Sequence, residues 1–432
     1  LQLSIEKLVY GGDGLARLPA DEQGRGKAVF LPFVLEGEKV EAALLEEKPG
    51  FARARAEQIL ERSARRVEPP CPYFQRCGGC HYQYADYRHQ LEIKAAILKE
   101  NLRRIAKVDL DTELIVHASP EWNYRNRTRL KIQTQPQFAL GYYRHASHEL
   151  LPVEQCPISS PLINRAIAAL WDLGHAGKVS ADVREIEFFC NAEDDQFLLH
   201  LYCSPLISKD AATKIADDLR SLLPRAAGVV ALRSESNEKA LAEAQPIAVS
   251  GAAELTYKTP ACSYRVRSGA FFQVNRHLIG ELIGVVTGHR AGAMALDLYA
   301  GVGLFSTVLA GSFAQVIAVE ASPTAHADLV YNSPSNVQAV HATTDQFLAH
   351  RAGKLEPDLV VLDPPRGGLG GIVVRSLAKL EVEQITYVSC DPATLSRDLA
   401  GLLAAGYRIQ QAHLIDLFPQ TYHVESVVHL IR

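Results

Sequence analysis

The sequence predicts an α/β protein. Its C-terminal part reads as a doubly wound, Rossmann-like domain, preceded by a small OB-type β-barrel and an α+β central domain with a metal cluster. Three observations predict this. From residue 257 onward, short apolar runs alternate with helical stretches, the pattern of βαβ units around a parallel sheet. The first 62 residues read as short strands separated by glycine turns, the pattern of a small barrel. Between the two lie three closely spaced cysteines, Cys71, Cys77 and Cys80. The expected division is therefore 1–62, 63–256 and 257–432, with a helix near 85–106 that can pack on the last part.

A chain of 432 residues is too long for one ordinary domain. With 47% hydrophobic and 22% charged residues it is able to build real cores. A net charge of −4 carries no global nucleic-acid signal, so any such surface must be a local patch. No basic segment precedes an apolar one at the N-terminus, so a cytoplasmic location is expected rather than secretion. The longest apolar run, around Leu298–Ala310, contains glycines and is too short to span a membrane. Eight cysteines in such a protein suggest metal or catalytic chemistry rather than a disulfide framework. The chain starts at Leu1 and has one methionine, so its first residues are expected to have been trimmed.

In the barrel, Gly11-Gly12-Asp13-Gly14 turns the chain, and strands are expected over Lys27–Phe33, Glu38–Glu46 and Phe51–Leu60. Such barrels bind RNA by stacking and basic contacts; a spacer role is equally compatible with the composition. Between Arg53 and Lys107, twelve Arg or Lys stand against six acids. A second basic run, Arg125, Arg127, Arg129 and Lys131, alternates beside Trp122 and Tyr124 and reads as a strand with one charged face for RNA. The cysteines Cys71, Cys77 and Cys80 have C-x5-C-x2-C spacing around Gly78-Gly79, and Cys156, before Pro157, is the fourth candidate ligand. Four thiolates can hold zinc or an iron–sulfur cluster. One triplet plus one distant cysteine favours [4Fe-4S], with zinc as the alternative. Cys190, Cys203 and Cys262 sit in strand-like apolar contexts and read as core residues. Residues 160–250 alternate helix and strand and read as scaffold.

The C-terminal domain carries the chemistry. A buried strand ends in Asp297-Leu298-Tyr299-Ala300-Gly301-Val302-Gly303, with Ser306 where a dinucleotide fold would have its third glycine. The next strand ends in Glu320, an acid able to accept both ribose hydroxyls of a nucleoside. Loop and acid together point to S-adenosyl-L-methionine. The strand Asp358–Leu362 ends in Asp363-Pro364-Pro365-Arg366, a sequence found in methyltransferases that act on bases; alone it leaves carbon or nitrogen open. A further strand, Gln384–Val388, ends in Ser389-Cys390-Asp391-Pro392. This puts Cys390 at a strand end beside a helix N-terminus, where the dipole is expected to favour thiolate.

Together, Phe271-Phe272-Gln273-Val274-Asn275, the Asp297–Ser306 loop, Asp363-Pro-Pro-Arg, Ser389-Cys390-Asp391-Pro392 and His423-Val424-Glu425-Ser426 resemble the RNA uracil-C5-methyltransferases. The resemblance covers almost the whole chain. It implies that the barrel is a TRAM domain and that the cysteine quartet holds an iron–sulfur cluster, as in members that methylate a uridine of 23S rRNA. It also implies Cys390 as nucleophile on C6 and Glu425 as the base that removes the C5 proton. Gln273, Tyr299, Gly301, Glu320 and Asp363 match positions that hold the cofactor. The family often has an acid or amide near Thr343 for the adenine; here Thr343 and Asp345 leave that contact open. The target uridine must be flipped out of a 23S rRNA segment to reach the sulfur, and no obligatory protein or membrane partner is expected. Alternatives are a tRNA substrate, methylation of a base nitrogen, and a non-catalytic iron–sulfur RNA-binding protein.

Overall fold

The computed structural model describes residues 1–19, 26–233, 246–288, 290–351 and 355–432. The first six strands are β1 (Gln2–Ser4), β2 (Lys7–Leu8), β3 (Asp13–Arg17), β4 (Ala28–Pro32), β5 (Lys39–Glu47) and β6 (Phe51–Glu61), in the order β1-β5-β6-β4-β3-β2. The Ile5 N–H donates to the Glu38 carbonyl and the Glu6 N–H to that of Leu15, so the first segment reaches both edges and closes the barrel. Inside are Leu3, Ile5, Val29, Leu31, Val40 and small alanines of β5 and β6. Gly14 is required there, because a Cβ would come within 2.4 Å of Val34. The fully buried Glu38 receives two hydrogen bonds from Arg66, at 2.6 and 2.8 Å. This paired fork pins the segment leaving the barrel.

Strand β7 (Leu114–His117) belongs elsewhere, as described below. The middle of the chain forms a seven-stranded sheet. Its members are β8 (Arg127–Gln133), β9 (Ala139–Tyr143), β10 (Leu150–Pro152), β11 (Val183–Cys190), β12 (Phe197–Cys203), β13 (Ala226–Arg233) and β14 (Ala248–Gly251). Their order is β10-β9-β8-β11-β12-β13-β14. The helices Pro161–His175 and Lys209–Leu222 bury their apolar stripes against it. Each begins with a serine cap, Ser160 and Ser208, whose hydroxyl takes a free N–H of the first turn. Cys190 and Cys203 are fully buried in this sheet, whereas Cys262 is only partly buried.

The basic strand differs from the expectation of an open RNA face. Antiparallel register sets β8 against β11. Arg127 forms an ion pair with Glu187 at 3.0 Å, Arg129 bonds Glu187 at 3.2 Å, and Lys131 bonds Glu185 at 2.5 Å. Burial pushes Glu187 up, but Arg127, His200 and Arg129 overcome it and hold the carboxyl well below its usual range. Three positive charges on β8 thus face two carboxylates of the next strand, which offset most of them. The alternation came from a polar ladder inside the sheet, which a single strand's sequence cannot distinguish from a phosphate-binding stripe.

A hairpin, β15 (Glu254–Lys258) and β16 (Ser263–Arg267), leads into the last domain. The final strands are β17 (Gly292–Leu298), β18 (Phe313–Glu320), β19 (Val337–His341), β20 (Leu359–Leu362), β21 (Gln384–Ser389), β22 (Arg408–Ile415) and β23 (Glu425–Ile431). Sheet order is β19-β18-β17-β20-β21-β23-β22-β7. Strands β17–β21 run parallel, as βαβ units require. The far side departs from a purely parallel sheet: β23 is antiparallel to both neighbours, and β7, from the middle of the chain, forms the edge. Among the described residues no helix is long and apolar enough to cross a membrane.

The helix Tyr87–Asn101 also packs against this domain, touching β7 and the helix Pro392–Ala404. Its Lys94 ammonium meets Asp416 at 2.6 Å, with both side chains fully buried, and also donates to the Phe418 carbonyl. Burial pulls the Lys94 pKa down, and Asp416 opposes that. Tyr87 donates to the second Asp416 oxygen at 2.9 Å. Removing one partner leaves a buried charge without compensation, a loss of about 3–5 kcal/mol. We therefore expect Lys94→Ala to lower stability to urea by that amount, and Lys94→Met with Asp416→Leu to recover most of it.

Candidate active site

Parallel strands place their following loops at one edge of the sheet. The loop after β17 makes a left-handed turn, with φ +67° at Tyr299, +57° at Gly301 and +93° at Gly303. The Gly301 N–H donates to Glu320 at 2.8 Å, and the Ser322 N–H donates to the other Glu320 oxygen at 2.6 Å. Both carboxylate oxygens are held in place and each keeps a lone pair for a further donor. Sequence reading gave Ser306 no role beyond a missing glycine. In the fold its backbone N–H and hydroxyl both donate to the buried Asp297. Asp297 therefore orients the glycine turn, and a third glycine is not needed for it. Thr343 and Asp345 are both exposed to solvent.

Gln273 is buried in a loop held from two sides. The Asn126 side chain donates to its carbonyl at 3.0 Å, and that of Asn275 donates to Ser119 and to the carbonyls of Asp416 and Leu417. Asp363 follows β20. Burial, then the nearby Asp297 charge, pushes its carboxyl up to about 7. Asp297 itself is pushed up to about 6, by burial first.

Cys390 follows β21, and Glu425 opens β23. The antiparallel register ends with Ser389 against Ser426, so Cys390 and Glu425 each lie one residue further outward, and Glu425 acts on the thiol. The Ser426 hydroxyl donates to the Ser389 carbonyl at 3.2 Å and locks this register. Glu425 is buried, and burial first, then Asp363, drives its carboxyl well above the usual range, with Arg366 opposing.

The thiol corrects the sequence expectation. Rather than favouring thiolate, the site pushes Cys390 up to about 12, through burial, then Glu425 and Asp363, against a smaller pull from Arg366. The helix end cannot help much. Asp391 caps it, accepting from the N–H groups of Ala393 at 3.0 Å and Thr394 at 2.8 Å, with Pro392 at the first position. The positive end of the helix is spent on a carboxylate.

The four cysteines read as metal ligands, Cys71, Cys77, Cys80 and Cys156, face one cavity of about 260 Å³, with Phe74 and Tyr142 among its walls. Burial raises the Cys77 thiol to about 11 and Cys80 further, and the neighbouring cysteines add to both. Among the described residues no three His, Cys, Asp or Glu are grouped closely enough to hold a metal ion.

Residues 86–432 match the family described as tRNA (uracil-5-)-methyltransferase, and residues 1–56 match the TRAM domain. The chain belongs to the tRNA (uracil-5-)-methyltransferase family. An RNA methyltransferase of Aquifex aeolicus is 34% identical over 100% of this chain and 98% of that protein. A Pseudomonas putida relative named 23S rRNA (uracil(1939)-C(5))-methyltransferase RlmD is 31% identical over 99% of this chain and 92% of its own length. The crystal structure of Pyrococcus abyssi tRNA (uracil-54, C5)-methyltransferase with S-adenosyl-L-homocysteine covers 100% of both chains, with a TM-score of 0.75 and 21% identity. That likeness is one of fold. This member of the family is thus an RNA methyltransferase with an N-terminal TRAM domain on a mixed α/β fold.

The raised thiol has a direct consequence. Without ligands, iodoacetamide should alkylate Cys390 slowly at neutral pH, with a rate still climbing about tenfold per pH unit near pH 10. Asp363→Asn removes a negative charge beside the sulfur, so it should lower the thiol pKa and speed alkylation at pH 9. A plateau below pH 8 in the unaltered protein would contradict the raised thiol.

Proposed function

We propose that the protein forms 5-methyluridine in 23S rRNA with S-adenosyl-L-methionine as methyl donor. The observation that carries the C5 chemistry is the β21–β23 register, which ends at Ser389 with Ser426 and leads on to Cys390 and Glu425, whose charge acts on the thiol. Uracil C5 is a poor nucleophile. Addition of the Cys390 sulfur to C6 makes an enolate and loads electron density onto C5. After C5 takes the methyl group from the donor, which leaves as S-adenosylhomocysteine, the Glu425 carboxylate takes the C5 proton and the Cys390 sulfur leaves as thiolate by elimination. The 23S rRNA assignment is supported by full-length relatives that bear that name. The Pyrococcus abyssi enzyme acts on tRNA, but its 21% identity does not favour that substrate here.

Both members of the pair hold protons in the free protein, because burial disfavours their anions. S-adenosyl-L-methionine, when bound, would supply a positive sulfonium, which would lower the cost of releasing the Cys390 and Glu425 protons to solvent. Glu320 and the Tyr299–Gly301 turn would hold the nucleoside of the donor, with Gln273 and Asp363 beside its methyl-bearing end. The target base must leave its stack to enter. The three parts 1–62, 63–256 and 257–432 serve RNA holding, cluster binding and methyl transfer, with β7 and the helix Tyr87–Asn101 crossing into the last.

We also assign the cysteine cavity to a [4Fe-4S] cluster held by Cys71, Cys77, Cys80 and Cys156. A lone zinc needs all four sulfurs about 2.3 Å from one point. Thiols spread around a 260 Å³ cavity suit a cluster better. Its role is structural, since methyl transfer moves no electrons.

Three outcomes are expected. RNA containing 5-fluorouridine should trap a denaturation-resistant adduct, absent in Cys390→Ala, while Glu425→Gln should accumulate a methylated adduct on ordinary RNA. Failure with every 23S fragment would sink the scheme, and an N-methyl base among the products would redirect it. Glu320→Ala should weaken S-adenosylhomocysteine binding about 10–100-fold by calorimetry, the loss of one or two charge-assisted hydrogen bonds. Protein purified without air should be brown, and Cys80→Ser should bleach it; a colourless protein with one zinc per chain would favour the alternative metal.

A further inference from the structure

The barrel reaches into the catalytic edge. Tyr10, in the turn between β2 and β3, donates its hydroxyl to the Cys390 carbonyl at 3.4 Å and lies beside the Asp391 side chain. Its ring meets Tyr422 edge-on at 5.6 Å. Tyr422 in turn packs on His81 at 4.5 Å and on His423 at 4.4 Å. Gly12 allows the approach. Its φ is +97°, and a Cβ there would come within 3.3 Å of His81 and 3.5 Å of Tyr422. On the other side, the N–H groups of His81 and Tyr82 both donate to the Gln420 carbonyl, at 2.8 and 2.9 Å. One aromatic cluster therefore touches two loops. One loop carries Cys390, and the other runs through Gln420–His423 to Glu425.

We propose that Tyr10 is a positioning residue that sets the Cys390 loop against the loop delivering Glu425. The barrel then acts as one wall of the catalytic centre as well as a surface for RNA. The inference rests on the Cys390–Glu425 reading given above. A phenol hydrogen bond and an edge-on ring pair contribute little to stability. Their effect on rate is larger, because a misplacement of about 1 Å between reacting groups costs about 100-fold.

The test compares the full-length protein with Tyr10→Phe and Tyr10→Ala. Expected are single-turnover methylation rates on a 23S rRNA fragment lower by about 10-fold and about 100-fold, with RNA affinity within about twofold. In the absence of RNA, iodoacetamide should alkylate Cys390 several-fold faster in both variants, since the loop is less held. Lower RNA affinity with an unchanged single-turnover rate would make Tyr10 an RNA contact and overturn the proposal. A lower melting temperature with unchanged methylation and alkylation rates would make it merely structural and overturn it too. If the unaltered protein forms no adduct with 5-fluorouridine RNA, the uracil-C5 reading fails. The alkylation comparison needs no RNA and still decides whether Tyr10 holds the Cys390 loop.

Discussion

The pairing of β23 with β21 is the constraint on which the site depends. Because the pairing is antiparallel, the first residue of β23 falls beside the residue just past the end of β21. A one-residue slip would turn every side chain of β23 to the other face. Val427, Val428 and Leu430, all fully buried, make such a slip costly, and the Ser426–Ser389 hydrogen bond adds to it. Core packing thus decides which carboxyl stands beside the thiol.

A strand fixes its own first residue but not the loop that enters it. That loop is tied down by the helix Tyr87–Asn101. Lys94 and Tyr87 hold Asp416, and Gln90 exchanges two hydrogen bonds with Gln420, at 2.9 and 3.0 Å. The helix lies far away in sequence, directly after the cysteine segment. Cysteine loop, barrel turn and catalytic loop therefore meet within a few side chains, and disturbance of one reaches the others through contact.

The electrostatics follow from burial. Asp297, Asp363 and Glu425 stand near one another with Arg366 as the opposing charge, and all three carboxyls are pushed up. In water these groups would ionise near their ordinary values. Here the low-dielectric setting disfavours the anions of Glu425 and Cys390 most and raises Asp363 and Asp297 less, to about 7 and about 6.

Local sequence determined much of this protein. Apolar runs ending in Gly301, Glu320, Asp363 and Cys390 mark the strand ends, because parallel buried strands need continuous apolar residues and their loops need special backbone or charge. The four cysteines were visible by spacing, and they meet at one cavity. Tertiary structure decided what depends on neighbours. The Arg127–Lys131 run looked like an RNA stripe until β11 supplied Glu185 and Glu187. The helix dipole beside Cys390 looked activating until Asp391 capped it. Tyr10, Lys94 and Gln90 carry no motif, because each acts on residues more than three hundred positions away. Strand β7 joins a sheet whose other members begin after residue 290, a pairing invisible in its four residues. Backbone propensity and motif chemistry are properties of short segments, whereas charge pairing, burial and long-range contact exist only once the chain has closed on itself.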